Sequence, residues 1–286
     1  MTTLNDAVDW AADLGGGARV ALVQAGTFRS DAGALLGPVP RLLWLHHLSD
    51  ELDIHDRLRQ ACNCLLVEVP AGRVLVETGV GDRYDAKMRR LRDVRGDAVL
   101  PALRKAGFDP ATVDIVALSH LHYDHAGGLV DAVGRPAFPR ARIAAQRVEW
   151  EFAFGDNPRL QAGYDQDNLR VVAETGVLGA TDGDQELLPR VEVMHTGGHS
   201  GGHQAVVVRG ANRTLGFFGD LLMRPWSANP RWVTAMDDFP LTSVEVKGTL
   251  FARAADERWL VALSHERRTP IGHLEREKDR FRFVPE

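Results

Sequence analysis

The chain has 286 residues, of which 44% are apolar and 26% charged, and its formal net charge is −5. This is an ordinary globular composition with enough apolar residues for a large core. The negative charge argues against nucleic acid or an anionic membrane as the main partner, because both attract basic surfaces.

The length fits one large domain or two small ones, and no linker divides it, so we expect a single domain over residues 1–286. Its apolar runs are far shorter than a membrane-spanning helix. The first twenty residues, MTTLNDAVDWAADLGGGARV, contain acidic residues and no apolar signal core, which predicts a cytoplasmic protein. Cys62 and Cys64 are one residue apart in an apparent strand, a spacing that disfavours a disulfide between them.

Short β-branched runs predict strands in the first half of the chain, with charged helical stretches between them. The predicted strands are 19–26, 62–69, 73–79, 113–119 and 142–146, and the predicted helices are 82–93, 97–106 and about 148–154. The PAG sequence between the second and third strands predicts a hairpin.

The second half repeats this organisation, with predicted strands at 191–198, 203–210, 213–220 and 258–265 and a helix at 243–255. The strands thus fall into two groups, each followed by helices. This arrangement favours one domain with two sheets over a simple alternating parallel fold.

Potential metal ligands stand at the ends of four predicted strands. Strand 113–119 is followed by His120, His122, Asp124 and His125 in the sequence SHLHYDHAGG. Strand 191–198 is followed by His199, strand 213–220 ends in Asp220, and strand 258–265 ends in His265. Strand ends are rigid, and several can converge at one edge of a sheet, so we expect these side chains to form one site.

The residue types predict two divalent metal ions. Imidazole with carboxylate suits zinc, iron, manganese or cobalt better than calcium or magnesium, and we expect zinc first. Five histidines and two aspartates exceed the needs of one tetrahedral ion. In the predicted arrangement the first ion binds His120, His122 and His199, the second binds Asp124, His125 and His265, and Asp220 bridges them. A water between two such ions loses a proton near neutral pH and becomes a nucleophile.

The motifs HLHYDH, TGGHSGGH and FFGD, together with the late His265, resemble the metallo-β-lactamase superfamily in order and rough spacing, from about residue 60 to the C-terminus. The resemblance implies an α+β fold, a four-layer αββα sandwich with the dinuclear site at one edge of its two sheets. In the TGGHSGGH motif it implies that the first histidine, His199, is the ligand, and that His203 supports the site by hydrogen bonding.

Within the superfamily, the chain is similar to N-acyl-homoserine lactone lactonases and to methyl-parathion-hydrolase-like enzymes. This similarity implies a metal-dependent hydrolase whose bridging hydroxide attacks a small ester, with a lactone as the first expectation. Asp124 and Asp220 are then catalytic as well as metal-binding, and Asp220 can return a proton to the leaving alkoxide. The expected binding partner is a small-molecule ester substrate. The sequence is compatible with a homodimer.

The motif set is also compatible with other functions. A phosphotriesterase or arylesterase with promiscuous lactonase activity is the alternative, since the same two-metal site can act at phosphorus. A glyoxalase II-like thioesterase is disfavoured because the chain lacks the basic C-terminal helical region. A persulfide dioxygenase uses one iron, whereas a second ligand set is present here. A purely structural metal site is disfavoured because no cysteine belongs to the set.

Two positions depart from the family pattern. Met223 lies where the lactonases carry a tyrosine, so we expect the oxyanion to lack that phenol unless His46, His47 or Arg224 reaches the site. Glu77 stands in ETG where the superfamily usually has DTG, and its longer carboxylate can still orient a ligand histidine. Six aromatic residues belong either to the core or to an apolar wall over the metals: Trp44, Trp150, Phe152, Phe154, Trp226 and Trp232.

Overall fold

The structure is a computed structural model that describes residues 9–175 and 179–286. Residues 1–8, on which the expectation about the N-terminus partly depends, lie outside these ranges. Within the described ranges, no helix is long and apolar enough to cross a bilayer.

The first sheet contains six of the described strands, in the spatial order β1-β2-β3-β4-β5-β6. Their bounds are Trp10–Gly15 (β1), Ala18–Asp31 (β2), Arg57–Val69 (β3), Gly72–Val76 (β4), Ile115–Ala117 (β5) and Arg142–Ala144 (β6). The first four pair antiparallel, and β4, β5 and β6 run parallel to one another. The predicted hairpin of β3 and β4 is confirmed.

The second sheet contains the seven other described strands, in the order β13-β12-β11-β10-β9-β8-β7. Their bounds are Gln185–Leu188 (β7), Val191–His195 (β8), Gln204–Arg209 (β9), Thr214–Phe217 (β10), Leu260–Ala262 (β11), Ile271–Glu277 (β12) and Arg280–Pro285 (β13). Because β8 and β10 both pair antiparallel with β9, and β11 is parallel to β10, strands β8, β10 and β11 all point the same way.

Helices connect the strands and cover both sheets. Those described are Ala32–Leu36 (α1), Arg41–Leu48 (α2), Ala86–Leu91 (α3), Val99–Lys105 (α4), Tyr123–Ala126 (α5), Arg147–Ala153 (α6), Pro158–Gln161 (α7), Gln166–Ala173 (α8) and Pro240–Asp256 (α9). Short 3₁₀ turns separate several of them.

Three apolar layers hold these elements together. Val67 and Val76 of the first sheet meet Val206 and Phe217 of the second in the middle layer. Helices α4, α6 and α8 pack on the outer face of the first sheet. Helix α9 packs Phe251 against the outer face of the second. The order helix, sheet, sheet, helix confirms the predicted αββα sandwich.

The ends of five strands meet at one edge of the sandwich. The parallel strands β4 and β5 lead to Glu77 and to His120, whereas β8, β10 and β11 lead to His199, Asp220 and His265. Strand β4 stops three residues before the predicted end because Glu77 adopts a φ of 66°, which leaves the extended conformation.

Candidate metal centre

The structure brings all seven predicted ligand residues together, in two groups. The first contains His120, His122 and His199, and the second contains Asp124, His125, Asp220 and His265. Within each group, one potential ligand atom from every residue lies within 4.8 Å of the others. The division matches the predicted sharing between two ions, except that Asp220 is grouped with the second set.

Asp220 nevertheless faces both groups, with one carboxylate oxygen toward each. Its Oδ1 atom lies 3.1 Å from Nε2 of both His125 and His265. Its Oδ2 atom lies 3.5 Å from Nε2 of His199. This is the arrangement required of a carboxylate that bridges two cations.

The outward ring nitrogens of four histidines already have partners. Nδ1 of His120 lies 3.0 Å from Ser119 Oγ, and Nδ1 of His199 lies 2.9 Å from Asp237 Oδ1. Nδ1 of His125 lies 3.2 Å from Glu77 Oε2, and Nδ1 of His265 lies 2.7 Å from the Ala61 carbonyl oxygen. Such contacts fix the ring and leave Nε2 free to face inward.

The inward atoms fit a pair of cations. Nε2 of His120 is buried without a hydrogen-bond partner among the described residues. Nε2 of His125 and Nε2 of His265 face each other at 3.2 Å, as do His199 Nε2 and His122 Nδ1. Imidazole nitrogens crowded around shared carboxylates form the donor set that zinc and similar ions prefer.

His203 and His273, the two rivals of the predicted ligands, lie outside both groups. His203 is buried, and its Nδ1 lies 2.6 Å from Thr196 Oγ1, so it supports the loop that carries His199. His273 lies on β12 with 43% of its side chain exposed and pairs with Glu275. The geometry therefore favours His199 over His203, and His265 over His273, as the sequence predicts.

Glu77 contacts the site with both of its carboxylate oxygens. Besides the contact between its Oε2 and His125, its Oε1 accepts a hydrogen bond from the Ser119 backbone nitrogen at 2.9 Å. The side chain therefore joins His125 to the residue before His120. Its left-handed backbone, which is costly for a residue other than glycine, is held by these contacts.

Two further acidic residues support the predicted ligands, and no sequence motif marks either of them. Asp237 contacts His199 and accepts a hydrogen bond from Thr234 at 2.7 Å. Glu149 is fully buried in α6, and its carboxylate accepts hydrogen bonds from both ligand-bearing loops. Both lie far along the chain from the residues they hold.

Burial and neighbouring charges move the pKa values of the site apart. Burial lowers the pKa of His203 to about 3. Burial also acts to lower the pKa of His199, but the hydrogen bond to Asp237 and the charge of Asp220 outweigh it and raise that pKa to about 9. Burial acts to raise the pKa of Asp220, but His125 and His265 hold it well below its usual range. Asp220 is therefore an ionised carboxylate and a competent ligand.

A cavity of about 470 Å³ opens over the second group. Asp124, Asp220, His122 and His265 lie on its wall. Its apolar lining includes Phe28, Leu35, Leu91, Leu160 and Met236, and its polar lining includes Tyr123 and four arginines. These segments are remote in sequence, and no motif marks them.

The six aromatic residues considered for the cavity wall are not among its lining residues. Trp44 of α2 belongs to one apolar cluster with Trp226 and Trp232, and Trp150 and Phe152 belong to the layer outside the first sheet. The core interpretation is the correct one for these five side chains. Phe154 stacks on Trp150 and is 38% exposed.

Met223 does not line the cavity either. Its side chain is fully buried in the same cluster as Trp44, and only its carbonyl oxygen is near the site, where it accepts a hydrogen bond from the His265 nitrogen at 3.0 Å. Arg224 pairs with Glu51 and Glu266. His46, His47 and Arg224, the donors that could replace the phenol, are not among the lining residues, so the absence of a substitute for the phenol stays a prediction.

Comparison with known proteins gives a consistent picture. A family model described as the metallo-beta-lactamase superfamily matches residues 57–257. An N-acyl homoserine lactonase of a Bacillus species is 29% identical over 157 residues, which cover 51% of this chain and 57% of that protein. The N-acyl homoserine lactonase AttM of Agrobacterium fabrum is 36% identical over 114 residues, covering 37% of this chain and 40% of that protein. The match thus spans 57% of the first relative and 40% of the second, less than two thirds of either.

Solved structures share the fold over nearly the whole chain. A probable metal-dependent hydrolase from Staphylococcus aureus superposes with a TM-score of 0.85 at 23% identity, covering 95% of this chain and 98% of that one. AidC, described as a dizinc quorum-quenching lactonase, superposes with a TM-score of 0.77 at 22% identity, covering 97% of both chains. At these identities the likeness supports the fold alone.

Proposed function

The chain belongs to the metallo-β-lactamase superfamily, and we propose that it is a dinuclear metal-dependent hydrolase of small carboxylic esters, with lactones as the leading substrate class. The observation that carries the proposal is the carboxylate of Asp220, whose two oxygens face two separate groups of ligand side chains. The partial match to N-acyl homoserine lactonases supports the choice of lactones.

The proposed ligands divide between two ions. His120, His122 and His199 would hold the first, Asp124, His125 and His265 would hold the second, and Asp220 would serve both, since its two carboxylate oxygens face the two groups. When bound, divalent cations of this kind lower the pKa of a coordinated water and polarise a carbonyl oxygen. Zinc is our first expectation, and iron, manganese and cobalt fit the same donor atoms.

The protein's own contribution is to fix the ligand rings and to place the substrate. Asp237 and Glu77 hold the rings of His199 and His125, so that little reorganisation is required during the reaction. Phe28 and Leu160 provide apolar contacts for the acyl part of an ester in the cavity above.

Asp124 and Asp220 lie in both the ligand set and the cavity wall. Their carboxylates are therefore in position to accept a proton from the attacking water and to pass that proton to the leaving alkoxide when the ester bond breaks. The products of a lactone would be one hydroxy acid, and those of an open ester an acid and an alcohol.

Metal content and substrate range test the proposal together. We expect about two ions per chain at saturation, a lower content in His265→Ala, and hydrolysis of lactones in a panel that also contains aryl esters, a phosphotriester and a β-lactam. One ion at saturation with an unchanged content in His265→Ala would reject the dinuclear site. Faster turnover of the phosphotriester than of every lactone would show that phosphotriesters, and not lactones, are the substrate class.

His199→Ala and His203→Ala form a matched pair for the ligand assignment. Loss of His199 should remove metal and abolish activity, because its Nε2 faces the bridging carboxylate. Loss of His203 should weaken metal affinity or rate by roughly 10–100-fold, as for residues that support a ligand. The reverse order would show that the third motif is misassigned.

A further inference from the structure

Arg92 differs from the other arginines of the cavity in its partners. Arg29 and Arg57 pair with Asp53, and Arg159 donates a hydrogen bond to the Ala235 carbonyl oxygen at 3.1 Å. The guanidinium of Arg92 has no ion pair or hydrogen bond to any residue in the described ranges, and its Nε is buried without a partner.

Arg92 is nevertheless held firmly in place. Its guanidinium carbon lies 3.3 Å from the centre of the Tyr123 ring. Its backbone nitrogen bonds the Met88 carbonyl, and its carbonyl accepts a hydrogen bond from the Arg29 nitrogen at 2.7 Å. Tyr123 precedes the proposed ligand Asp124, so the cation is fixed beside the ligand set while its donors remain free.

The charge of the cavity also favours an anion. Four arginines and four aspartates line it, but two of those aspartates, Asp124 and Asp220, are proposed metal ligands. Once two divalent ions are bound, positive charge exceeds negative charge on this wall. A guanidinium offers a planar fork of donors that matches a carboxylate.

We propose that Arg92 binds a carboxylate of the substrate, so that the preferred substrates are esters or lactones bearing a carboxylate besides the bond that is cleaved. This inference rests on the proposed hydrolase function and narrows its substrate class. Arg92 would determine specificity through binding, without taking part in bond cleavage.

The test uses two nitrophenyl esters that differ in one group. Nitrophenyl hemiglutarate carries a free carboxylate on its acyl chain, and the matched ester carries a carboxamide there. The metal-loaded wild type should prefer the carboxylate ester. In Arg92→Gln, the KM for the carboxylate ester should rise about 10–100-fold. The kcat/KM for the carboxamide ester should stay within about twofold of the wild-type value. Arg92→Lys should recover part of the preference because it keeps the charge.

Arg90→Gln is the matched control, since Arg90 is exposed in α3, which ends just before Arg92, and is not a lining residue. An equal loss on both esters in Arg92→Gln, or no preference in the wild type, overturns the inference and leaves the hydrolase function standing. If the wild type cleaves neither ester, the proposed function fails. In that case, the equilibrium binding of glutarate tests whether Arg92 binds a carboxylate. The inference holds only if Arg92→Gln binds glutarate more weakly than the wild type.

Discussion

Glu149 accepts a hydrogen bond from the backbone nitrogen of Leu121 at 3.0 Å, and this bond fixes the peptide between His120 and His122. The other carboxylate oxygen accepts from Ser200 Oγ at 2.7 Å, next to His199. One buried carboxylate thus links two loops whose ligands are remote in sequence.

Glu149→Gln should therefore weaken metal binding. The amide replaces one acceptor oxygen with a donor that would face the N–H and O–H groups now bound by Glu149, so the two loops lose their common anchor. We expect metal affinity, measured by competition with a chelator, to fall about 10–100-fold. Glu151→Gln is the control on the exposed side of the same helix. A lower melting temperature with unchanged metal affinity would limit Glu149 to a structural role.

Gly163 lies against the ring of His122. A Cβ at this position would lie 2.6 Å from His122 Cδ2, and the Gly163 carbonyl accepts a hydrogen bond from the Tyr123 nitrogen at 2.9 Å. Gly163→Ala should displace the ring, which lowers metal affinity and kcat/KM together. Gly248→Ala is the matched control, because its Cβ would meet no atom within 4 Å in helix α9, and it should stabilise the protein by about 0.5–1 kcal/mol. Wild-type metal affinity in Gly163→Ala would contradict the close packing.

Met223→Tyr should not supply the phenol of the lactonases. The side chain is enclosed by Leu35, Leu58 and Trp44, so a larger ring with a hydroxyl overpacks the cluster and buries an unpaired polar group. We expect a loss of about 1–3 kcal/mol in the free energy of unfolding. Rates on esters with poor leaving groups should not improve selectively. A selective improvement would show that position 223 reaches the substrate after all.

Lys247 makes stability depend on pH. Its Nζ donates a hydrogen bond to the Trp232 carbonyl at 2.8 Å, and burial lowers its pKa to about 7, although the charge of Asp237 opposes the shift. Between pH 7 and its ordinary value of 10.5, the unfolded chain binds more protons at this residue than the folded one. Stability should therefore rise with pH across this window.

In Lys247→Met, the rise of stability with pH should be smaller. The variant should exceed the wild type in stability most at or below pH 7, where the wild type buries a charge. Denaturant midpoints at fixed, saturating metal measure the difference between the two proteins at each pH. Parallel curves for wild type and variant would show that Lys247 titrates normally.

The seven residues that the structure brings together could be predicted from the sequence because their positions are local. His120 to His125 lie in six residues after one strand, and His199, Asp220 and His265 each follow an apolar run. The αββα architecture came from the resemblance that these residues carry, and the two-sheet grouping came from the strand pattern.

Two hairpins were missed although their strands are neighbours in the chain. The sequence of β1, WAADLG, has no strand pattern and becomes a strand through its pairing with β2. The hairpin of β12 and β13 turns at Lys278, which adopts a φ of 58° without a glycine to mark the turn. The cavity wall, including Arg92, could not be predicted because only the folded chain brings its segments together.

The two sheets contribute different proposed ligands. The strand ends of the first lead to His120, His122, Asp124 and His125, and those of the second lead to His199, Asp220 and His265. Ions held by both sets would cross-link the layers, so neither sheet alone could form the site. Metal ions should then stabilise the folded protein as a bound ligand does. A higher metal concentration should shift the equilibrium toward the docked sheets by mass action. Substitutions in the apolar layer between the sheets would weaken metal affinity from a distance, without contacting any ligand.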